Sequence, residues 1–360
     1  MTSPAMIVSA DPAIVDDLLR LAAAANAPVE VARAVDHARP SWHSPSLILV
    51  GADLAKDLAA TPFQRRSGVV LVAPSTDTEE VYKLAVQIGA QELAELPRDE
   101  AWLIDALATA AEPTQGCGTT ICLTGSAGGA GVSVLAAGLG LSAARQGLRT
   151  LLIDGDPLGA GLDLVLGLEH HDGARWPDFA ERRGRLSTAT LREALPSLGD
   201  LSVLSWQRKE PVPVSEEAIL SLIDAAVRGY DLVLVDVPRY VGELGRTALR
   251  VADATFLLVP AEVRSTMAAE LLASMLRQDT ADLRLIVRGP APGGLTTSVI
   301  AEALNLPLAG MVERDRRLPS ALDQGDFVRA TRRGPLPDFC AGLLYDLGLQ
   351  PHERTAEEAA

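Results

Sequence analysis

The chain has 360 residues, of which 48% are hydrophobic and 22% charged, and its formal net charge is −15 at pH 7. This length and composition predict a globular protein with room for two ordinary domains. The charge argues against non-specific binding of nucleic acid, which depends on lysine and arginine neutralising phosphates. The apolar runs are shorter than a membrane span, no secretory signal opens the sequence, and three cysteines are too few for a disulfide framework or a zinc site. We therefore expect a cytoplasmic protein.

Residues 1–110 alternate between short apolar segments and helical patterns, which is typical of a parallel sheet covered on both faces. The predicted strands are 5–9, 28–32, 47–51, 68–73 and 90–93, and the clearest predicted helices are 14–25 and 100–111. Proline, glycine and threonine then interrupt the pattern, so we predict a linker at 111–119.

The alternation resumes on a larger scale over 120–346, where six or seven strands and intervening helices predict a doubly wound α/β domain. The predicted strands are 120–123, 150–154, 201–205, 232–236, 255–259 and 283–287, and a helix is predicted at 132–146. Residues 169–200 are less regular, with a basic stretch around Arg182–Arg185. The polar tail 347–360 is predicted to be disordered.

A glycine-rich segment directly follows the first of these strands and opens a helix. Backbone N–H groups in such a turn, with the positive end of the helix, form a nest for an anion. The sequence therefore predicts a phosphate-binding loop made of Ser126, Ala127, Gly128, Gly129, Ala130, Gly131, Val132 and Ser133.

Carboxylates follow two further apolar strands. Asp154 ends the strand at 150–154, and Asp156 follows two residues later. Asp236 ends the strand at 232–236. Carboxylates at such positions can hold or orient a magnesium ion and its water. We expect Asp154, Asp156 and Asp236 to be the catalytic positions, and Ser133, Asp156 and Asp236 to be the magnesium-binding ones.

These three motifs together resemble the MinD/ParA class of deviant Walker ATPases over roughly residues 118–345. The resemblance extends to the residues on both sides of the strand at 255–259, namely 252–254 and 259–264. It implies a P-loop NTPase-like fold with ATP and Mg²⁺ as cofactors. In that class two loop lysines contact the phosphates, one of them across a dimer.

Both lysine positions are apolar here, as Ala127 and Val132, although the magnesium-binding hydroxyl survives as Ser133. Cationic groups at a transferred phosphoryl are worth about 10³-fold or more in rate. Arg145 and Arg149 lie beyond the loop helix, on the wrong side to replace them. Arg288 stands where the class commonly has an adenine-reading asparagine. We expect at most a weak ATPase.

The N-terminal half resembles a response-regulator receiver, a flavodoxin-like fold, without its phosphate chemistry. The phosphate-acceptor position is Gly51, and the position of the receiver lysine is Leu96. Asp11 alone survives from the acidic pair, and Asp53 lies two residues past the acceptor. This half is predicted to be a pseudo-receiver used for docking or dimerisation. The order of the two domains resembles that of CpaE/TadZ pilus-localisation proteins and their septum-site-determining relatives.

Three functions follow from this resemblance. The first is a regulatory, positioning protein whose partners belong to the machinery of cell division or of pilus and secretion assembly. The second is an active dimeric ATPase with an atypical Walker A loop. The third, DNA partitioning through Arg316 and Arg317, is disfavoured by acidic residues among the arginines of 314–333. An acidic tail follows the last apolar segment, which argues against autonomous membrane binding. The sequence leaves open whether the protein forms a homodimer.

Overall fold

The computed structural model describes residues 5–61, 63, 66, 68–74, 79–111, 118–180, 186–291 and 293–350. The chain divides into two compact units, 1–115 with 185–190, and 116–184 with 191–360. Most of the predicted linker (112–117, with Cys117), Arg182–Arg185 and the tail beyond 350 lie outside the described residues. The predicted domain boundaries stay predictions.

The first unit contains a five-stranded parallel sheet with the order β2-β1-β3-β4-β5. Its strands are β1 (Ala5–Val8), β2 (Val29–Ala32), β3 (Ile48–Gly51), β4 (Val69–Ala73) and β5 (Glu92–Glu95). Its helices are α1 (Pro12–Ala24), α2 (Val35–Ala38), α3 (Ala52–Ala60), α4 (Glu79–Ile88) and α5 (Glu100–Ala111). This is the flavodoxin-like order, as predicted, and both faces of the sheet carry an apolar core.

Local sequence explains these elements. The central strands β1, β3 and β4 are apolar and fully buried, as strands covered on both faces must be. Asp11 caps α1 by accepting a hydrogen bond from the N–H of Ala13, and Pro12 occupies the first helical position, where no N–H is needed.

The second unit contains an eight-stranded sheet in its described residues, with the order β13-β12-β11-β6-β10-β7-β9-β8. Its strands are β6 (Thr119–Gly125), β7 (Thr150–Asp154), β8 (Ser197–Leu198), β9 (Leu201–Leu204), β10 (Leu232–Asp236), β11 (Ala254–Pro260), β12 (Leu283–Gly289) and β13 (Leu308–Glu313). Its helices are α6 (Val132–Arg145), α7 (Leu162–Leu166), α8 (Trp176–Ala180), α9 (Thr188–Ala194), α10 (Glu216–Gly229), α11 (Glu243–Val251), α12 (Val263–Leu276), α13 (Thr297–Leu304), α14 (Leu318–Asp323), α15 (Phe327–Ala330) and α16 (Pro335–Asp346).

The predicted doubly wound α/β fold is confirmed, and the sheet has two strands that the sequence did not predict. β8 is only two residues long and pairs antiparallel with β9. β13 lies at the sheet edge, is mostly exposed or half-buried, and contains Gly310, so it lacks the apolar run that marks an inner strand. Among the described helices, none is long and apolar enough to cross a membrane.

The register of the central strands brings the sequence motifs together. Asp236 at the end of β10 lies opposite Leu123 of β6 on one side and Asp154 of β7 on the other. The carboxyl ends of these parallel strands therefore meet at the same end of the sheet. Successive strands are added first on one side of β6 and then on its other side, so the strand order reverses next to β6. Ligands of doubly wound folds bind at such switch points. Cys122 is buried inside β6, as its place in a predicted strand implied.

Candidate functional site

The predicted phosphate-binding loop connects β6 to α6 and has the backbone of an open turn. Ser126 donates its N–H to the carbonyl of Leu258 at 3.1 Å, which ties the start of the loop to β11. Gly129 and Gly131 have φ of +73° and +95°, a region that favours glycine. A Cβ built on Gly128 or Gly129 would meet nothing within 4 Å, so space lies over the loop.

The two positions that lack lysine differ in what their side chains do. Val132 packs against the apolar core beside α6, and its Cγ2 would lie 2.6 Å from a Cβ on Gly125. Ala127 is half-buried and its carbonyl accepts the N–H of Ala130 at 3.1 Å. Neither side chain can supply a positive charge to a phosphate. The hydroxyl of Ser126 is buried and has no hydrogen-bond partner in the described part of the chain.

Asp236 is buried at the end of β10 and hydrogen bonds to Ser133 at the start of α6. Burial, with the nearby charges of Asp154 and Asp156, raises the pKa of Asp236 to about 7, although the Ser133 hydrogen bond opposes this. An ionised Asp236 is therefore destabilised unless a cation joins it. Ser133 and Asp236 lie together as the sequence predicted, and their oxygen donors suit Mg²⁺.

Asp154 is also buried, but its carboxylate is already fully engaged. It accepts hydrogen bonds from the N–H groups of Asp156 (3.1 Å) and Leu162 (3.0 Å), and from the Ser205 hydroxyl at 2.9 Å. Burial raises its pKa to about 6 despite these bonds. The backbone carbonyl of Asp154 accepts the indole N–H groups of two stacked rings, Trp176 and Trp206. Asp154 thus fixes the loop after β7.

Asp156 is half-buried, and its Oδ1 accepts the N–H of Leu158 at 3.0 Å. It belongs with Asp154 and Asp236 to one acidic group at the sheet edge, since both carboxylates raise the pKa of Asp236. Within the described ranges, no group of three or more His, Cys, Asp or Glu side chains is placed to hold a metal ion by itself. The magnesium assignments stay predictions.

An arginine lies against the phosphate-binding loop, close to where the class commonly has its adenine-reading asparagine. Arg288, near the end of β12, donates from Nη1 to the carbonyl of Gly129 at 3.0 Å. The signal was present in the sequence, because Arg288 directly follows the strand predicted at 283–287. What could not be read was the reach of its side chain across β11 to the loop.

Two other arginines are engaged elsewhere, as predicted. Arg145 donates to the backbone carbonyls of Thr331 and Val328. Arg149 forms an ion pair with Asp231 at 2.8 Å, at the edge of the sheet opposite the loop. Neither can supply a charge to the phosphate-binding loop.

The receiver-like site of the first unit is filled by its own side chains. A Cβ on Gly51 would clash with Oδ1 of Asp53, so the acceptor position has no room for a side chain while Asp53 stays in place. Asp53 accepts hydrogen bonds from Ser9 Oγ (2.8 Å) and from the N–H groups of Ala10 (2.7 Å) and Asp11 (3.1 Å). Leu96 packs against the apolar core.

Two surface features lie outside these sites. Arg317, Arg329, Arg332 and Arg333 line a shallow pocket, but Arg317 is paired with Asp315 at 2.6 Å. The outer face of α12 carries an apolar stripe with exposed fractions of 68, 64, 70 and 49% at Val263, Met267, Leu271 and Met275. Their spacing of four residues aligns them along one side of the helix. Contiguous exposed apolar surface of this kind is typical of protein contact sites.

Two family models match adjoining stretches of the chain. "Rv3660c-like, CheY-like N-terminal domain" matches residues 8–118, and "Cellulose biosynthesis protein BcsQ" matches residues 119–287. Rv3660c of Mycobacterium tuberculosis (strain ATCC 25618 / H37Rv) is 33% identical over 353 residues, which cover 96% of this chain and 99% of that protein.

Solved structures resemble the second unit. One is MinD of Aquifex aeolicus, solved in a MinC:MinD cell division protein complex, with a TM-score of 0.55 and 22% sequence identity. The alignment covers 66% of this chain and 98% of the Aquifex aeolicus chain. The septum site-determining protein MinD of Pyrococcus horikoshii OT3, complexed with Mg-ADP, has a TM-score of 0.55 and 16% identity, with 67% and 98% covered. The first unit is therefore CheY-like, and the second has the MinD/ParA fold.

Proposed function

Because the chain belongs to the family of Rv3660c from Mycobacterium tuberculosis, we propose that it is a regulatory, positioning protein that binds partner proteins and does not turn over ATP efficiently. Its partners would belong to the machinery of cell division or of pilus and secretion assembly in the cytoplasm. A CheY-like domain ahead of a MinD/ParA-type domain supports a place among CpaE/TadZ proteins and their relative Ssd.

One observation carries this proposal: the framework of a nucleotide site persists while its lysine positions are apolar. Gly129 and Gly131 adopt positive φ and Asp236 lies beside Ser133, but Val132 packs against the core and Ala127 carries no charge. Removing a cation that stabilises the transferred phosphoryl group costs about 10³-fold or more in rate. Such a site can still bind a nucleotide through loop N–H groups, with Mg²⁺ at Ser133, Asp156 and Asp236.

Two further observations support a role in protein binding. The Aquifex aeolicus MinD was solved together with MinC, and the α12 stripe offers exposed apolar surface on the corresponding fold. The receiver-like unit has lost its acceptor, so a docking or dimerisation role suits it better than phosphotransfer.

The alternative is an active dimeric ATPase with an atypical Walker A loop. The observation that favours it is Arg288, whose guanidinium lies at the loop and could replace a lysine charge. An ATPase of this kind would also need Asp156, which lies in the acidic group at the sheet edge.

Steady-state release of phosphate from Mg-ATP separates the two functions. We expect the wild-type protein and Asp156→Ala to release phosphate at the same background rate. Arg284→Met is a control for non-specific effects of removing a charged side chain. Arg284 lies on the same strand as Arg288 but is paired with Asp282. Turnover by the wild type that Asp156→Ala abolishes and Arg284→Met preserves would overturn the regulatory function.

A further inference from the structure

The guanidinium of Arg288 rests directly on the backbone of the phosphate-binding loop. Its Nη1 donates to the Gly129 carbonyl at 3.0 Å, and a Cβ on Gly131 would lie only 3.3 Å from the same atom. Gly131 therefore leaves room for this approach, in addition to adopting the positive φ at the start of α6. The contact uses one nitrogen of the guanidinium, and Nε and Nη2 are the donors left for another acceptor.

Within the described part of the chain, Arg288 forms no ion pair with a carboxylate. Its side chain is partly desolvated, and that burial together with the neighbouring charge of Arg314 lowers its pKa, while Glu262 acts in the opposite sense at a distance longer than an ion pair. Two arginines beside a phosphate-binding loop repel one another. An anion between them would remove that penalty.

The space next to Arg288 is shaped for a ligand with a charged end and an apolar body. A cavity of about 280 Å³ lies between the loop and the ends of β12 and β13. Its polar side comprises Gly129 and Gly131 of the loop, Arg288, Arg314 and two carboxylates, Glu313 and Asp315, while Leu258 and Leu318 are among its apolar lining. Asp315 is neutralised by an ion pair with Arg317 at 2.6 Å. Small-molecule sites combine apolar walls with a few placed polar groups in this way.

We propose that Arg288 is the cation that holds a nucleotide phosphate at this loop, in place of the lysines absent at Ala127 and Val132. The inference rests on the proposed function, in that the loop still binds a nucleotide. A guanidinium can present two parallel donors to a phosphate, whereas a lysine offers a point charge. Because Arg288 belongs to the same chain as the loop, this contact does not need the partner subunit that the crossing lysine of the class requires.

Calorimetric titration of the full-length protein with Mg-ADP at low ionic strength tests this role. We expect Arg288→Met to weaken binding about 10- to 100-fold, the value of a charge-assisted hydrogen bond to phosphate. Arg288→Lys should lose less, because it keeps the charge without the fork. Arg284→Met is the matched control: it lies four residues earlier on the same face of β12, and its affinity should equal that of the wild type.

Thermal unfolding of each variant shows whether it is folded, and Arg288→Lys reports on the site if Arg288→Met is not. Equal Mg-ADP affinity in Arg288→Met and the wild type would overturn the inference. Tighter binding by Arg288→Met would do the same, since it would mean that the guanidinium blocks the loop, and so would absence of binding by the wild type. ATP turnover dependent on Asp156 would instead overturn the proposed function, and would leave a dependence of Mg-ADP affinity on Arg288 intact.

Discussion

Each unit has a site, at the carboxyl ends of its strands, that lacks the residues its class uses to bind or transfer phosphate. The two sites differ in what their remaining side chains contact. In the first unit Asp53, two residues past the acceptor position, accepts three hydrogen bonds from its own surroundings, and its carboxylate leaves no room for a side chain at Gly51. In the second unit the loop stays open over Gly128 and Gly129, with Arg288 resting against it.

The difference shows that losing catalytic residues does not by itself abolish a binding site. In the receiver-like unit the hydrogen bonds to Asp53 come from the same unit. The phosphate-binding loop retains an unfavourable buried carboxylate at Asp236 and, among the described residues, a cation without an ion pair at Arg288, each of which an outside charge would stabilise. Four changes test this contrast, from the largest expected effect to the smallest.

Asp154 should be the most costly carboxylate to remove, although it lies at the open site. Replacing it by alanine leaves the buried N–H of Leu162 and the half-buried N–H of Asp156 without their acceptor, and leaves the Ser205 hydroxyl with the longer bond to Asp163 at 3.3 Å. We expect Asp154→Ala to lower the free energy of unfolding by about 3 kcal/mol in urea titrations. Asp154→Asn keeps one acceptor oxygen and should lose roughly half as much. A loss of less than about 1 kcal/mol for the alanine variant would contradict a structural role.

Asp236 should behave differently, because it lacks the three hydrogen bonds that hold Asp154 and its folded-state pKa, about 7, is raised further above that of an unfolded aspartate than the value of about 6 for Asp154. The folded protein holds a proton that the unfolded chain has released between roughly pH 4 and 7, so wild-type stability falls as pH rises through this range. Asp236→Asn cannot ionise and should be more stable than the wild type at pH 8, by about 1–3 kcal/mol, without magnesium. The gain should shrink at pH 5. A gain that is larger at pH 5 than at pH 8 would refute the raised pKa.

Arg145 is an exposed cation at the C-terminal end of α6, away from the phosphate-binding loop at its N-terminal end. Arg145→Met removes the donors to the carbonyls of Thr331 and Val328, so we expect it to cost about 1 kcal/mol of unfolding free energy. It should leave Mg-ADP affinity unchanged in the calorimetric titration that Arg288→Met alters. Weaker nucleotide binding by Arg145→Met would break the assignment of the loop charge to Arg288.

The closed site of the first unit predicts no phosphotransfer at Asp53. Incubation of the wild type with acetyl phosphate and Mg²⁺ should leave the intact mass unchanged, as it should for Asp53→Ala. The same substitution should cost about 1 kcal/mol of unfolding free energy, because Asp53 is exposed at the surface and water replaces part of what it satisfies. A mass increase of one phosphoryl group in the wild type, absent from the variant, would show that this site is also functional.

The sequence by itself determined the elements and their order. Apolar runs such as Leu232–Asp236 have to be buried strands, and glycine between a strand and a helix favours an anion-binding turn, because both signals are local to a few neighbouring residues. The edge strand β13 and the two-residue β8 were missed because neither has such a run. The same local signals placed the glycine-rich loop between a strand and a helix, and Asp236 at the end of a strand.

Only the tertiary structure decided what each polar side chain meets. Asp154, Asp236 and Asp53 are all aspartates near strand ends. Asp154 and Asp53 each accept three hydrogen bonds from their own surroundings, whereas Asp236 is hydrogen bonded to Ser133 and is buried with a raised pKa. Arg288 reaches the loop because β12, β11 and β6 are neighbours in the sheet, although more than 150 residues of chain separate Arg288 from Gly129. Hydrogen bonds and charges depend on such long-range placement, so the pattern that predicts a strand says nothing about the partner of its last side chain.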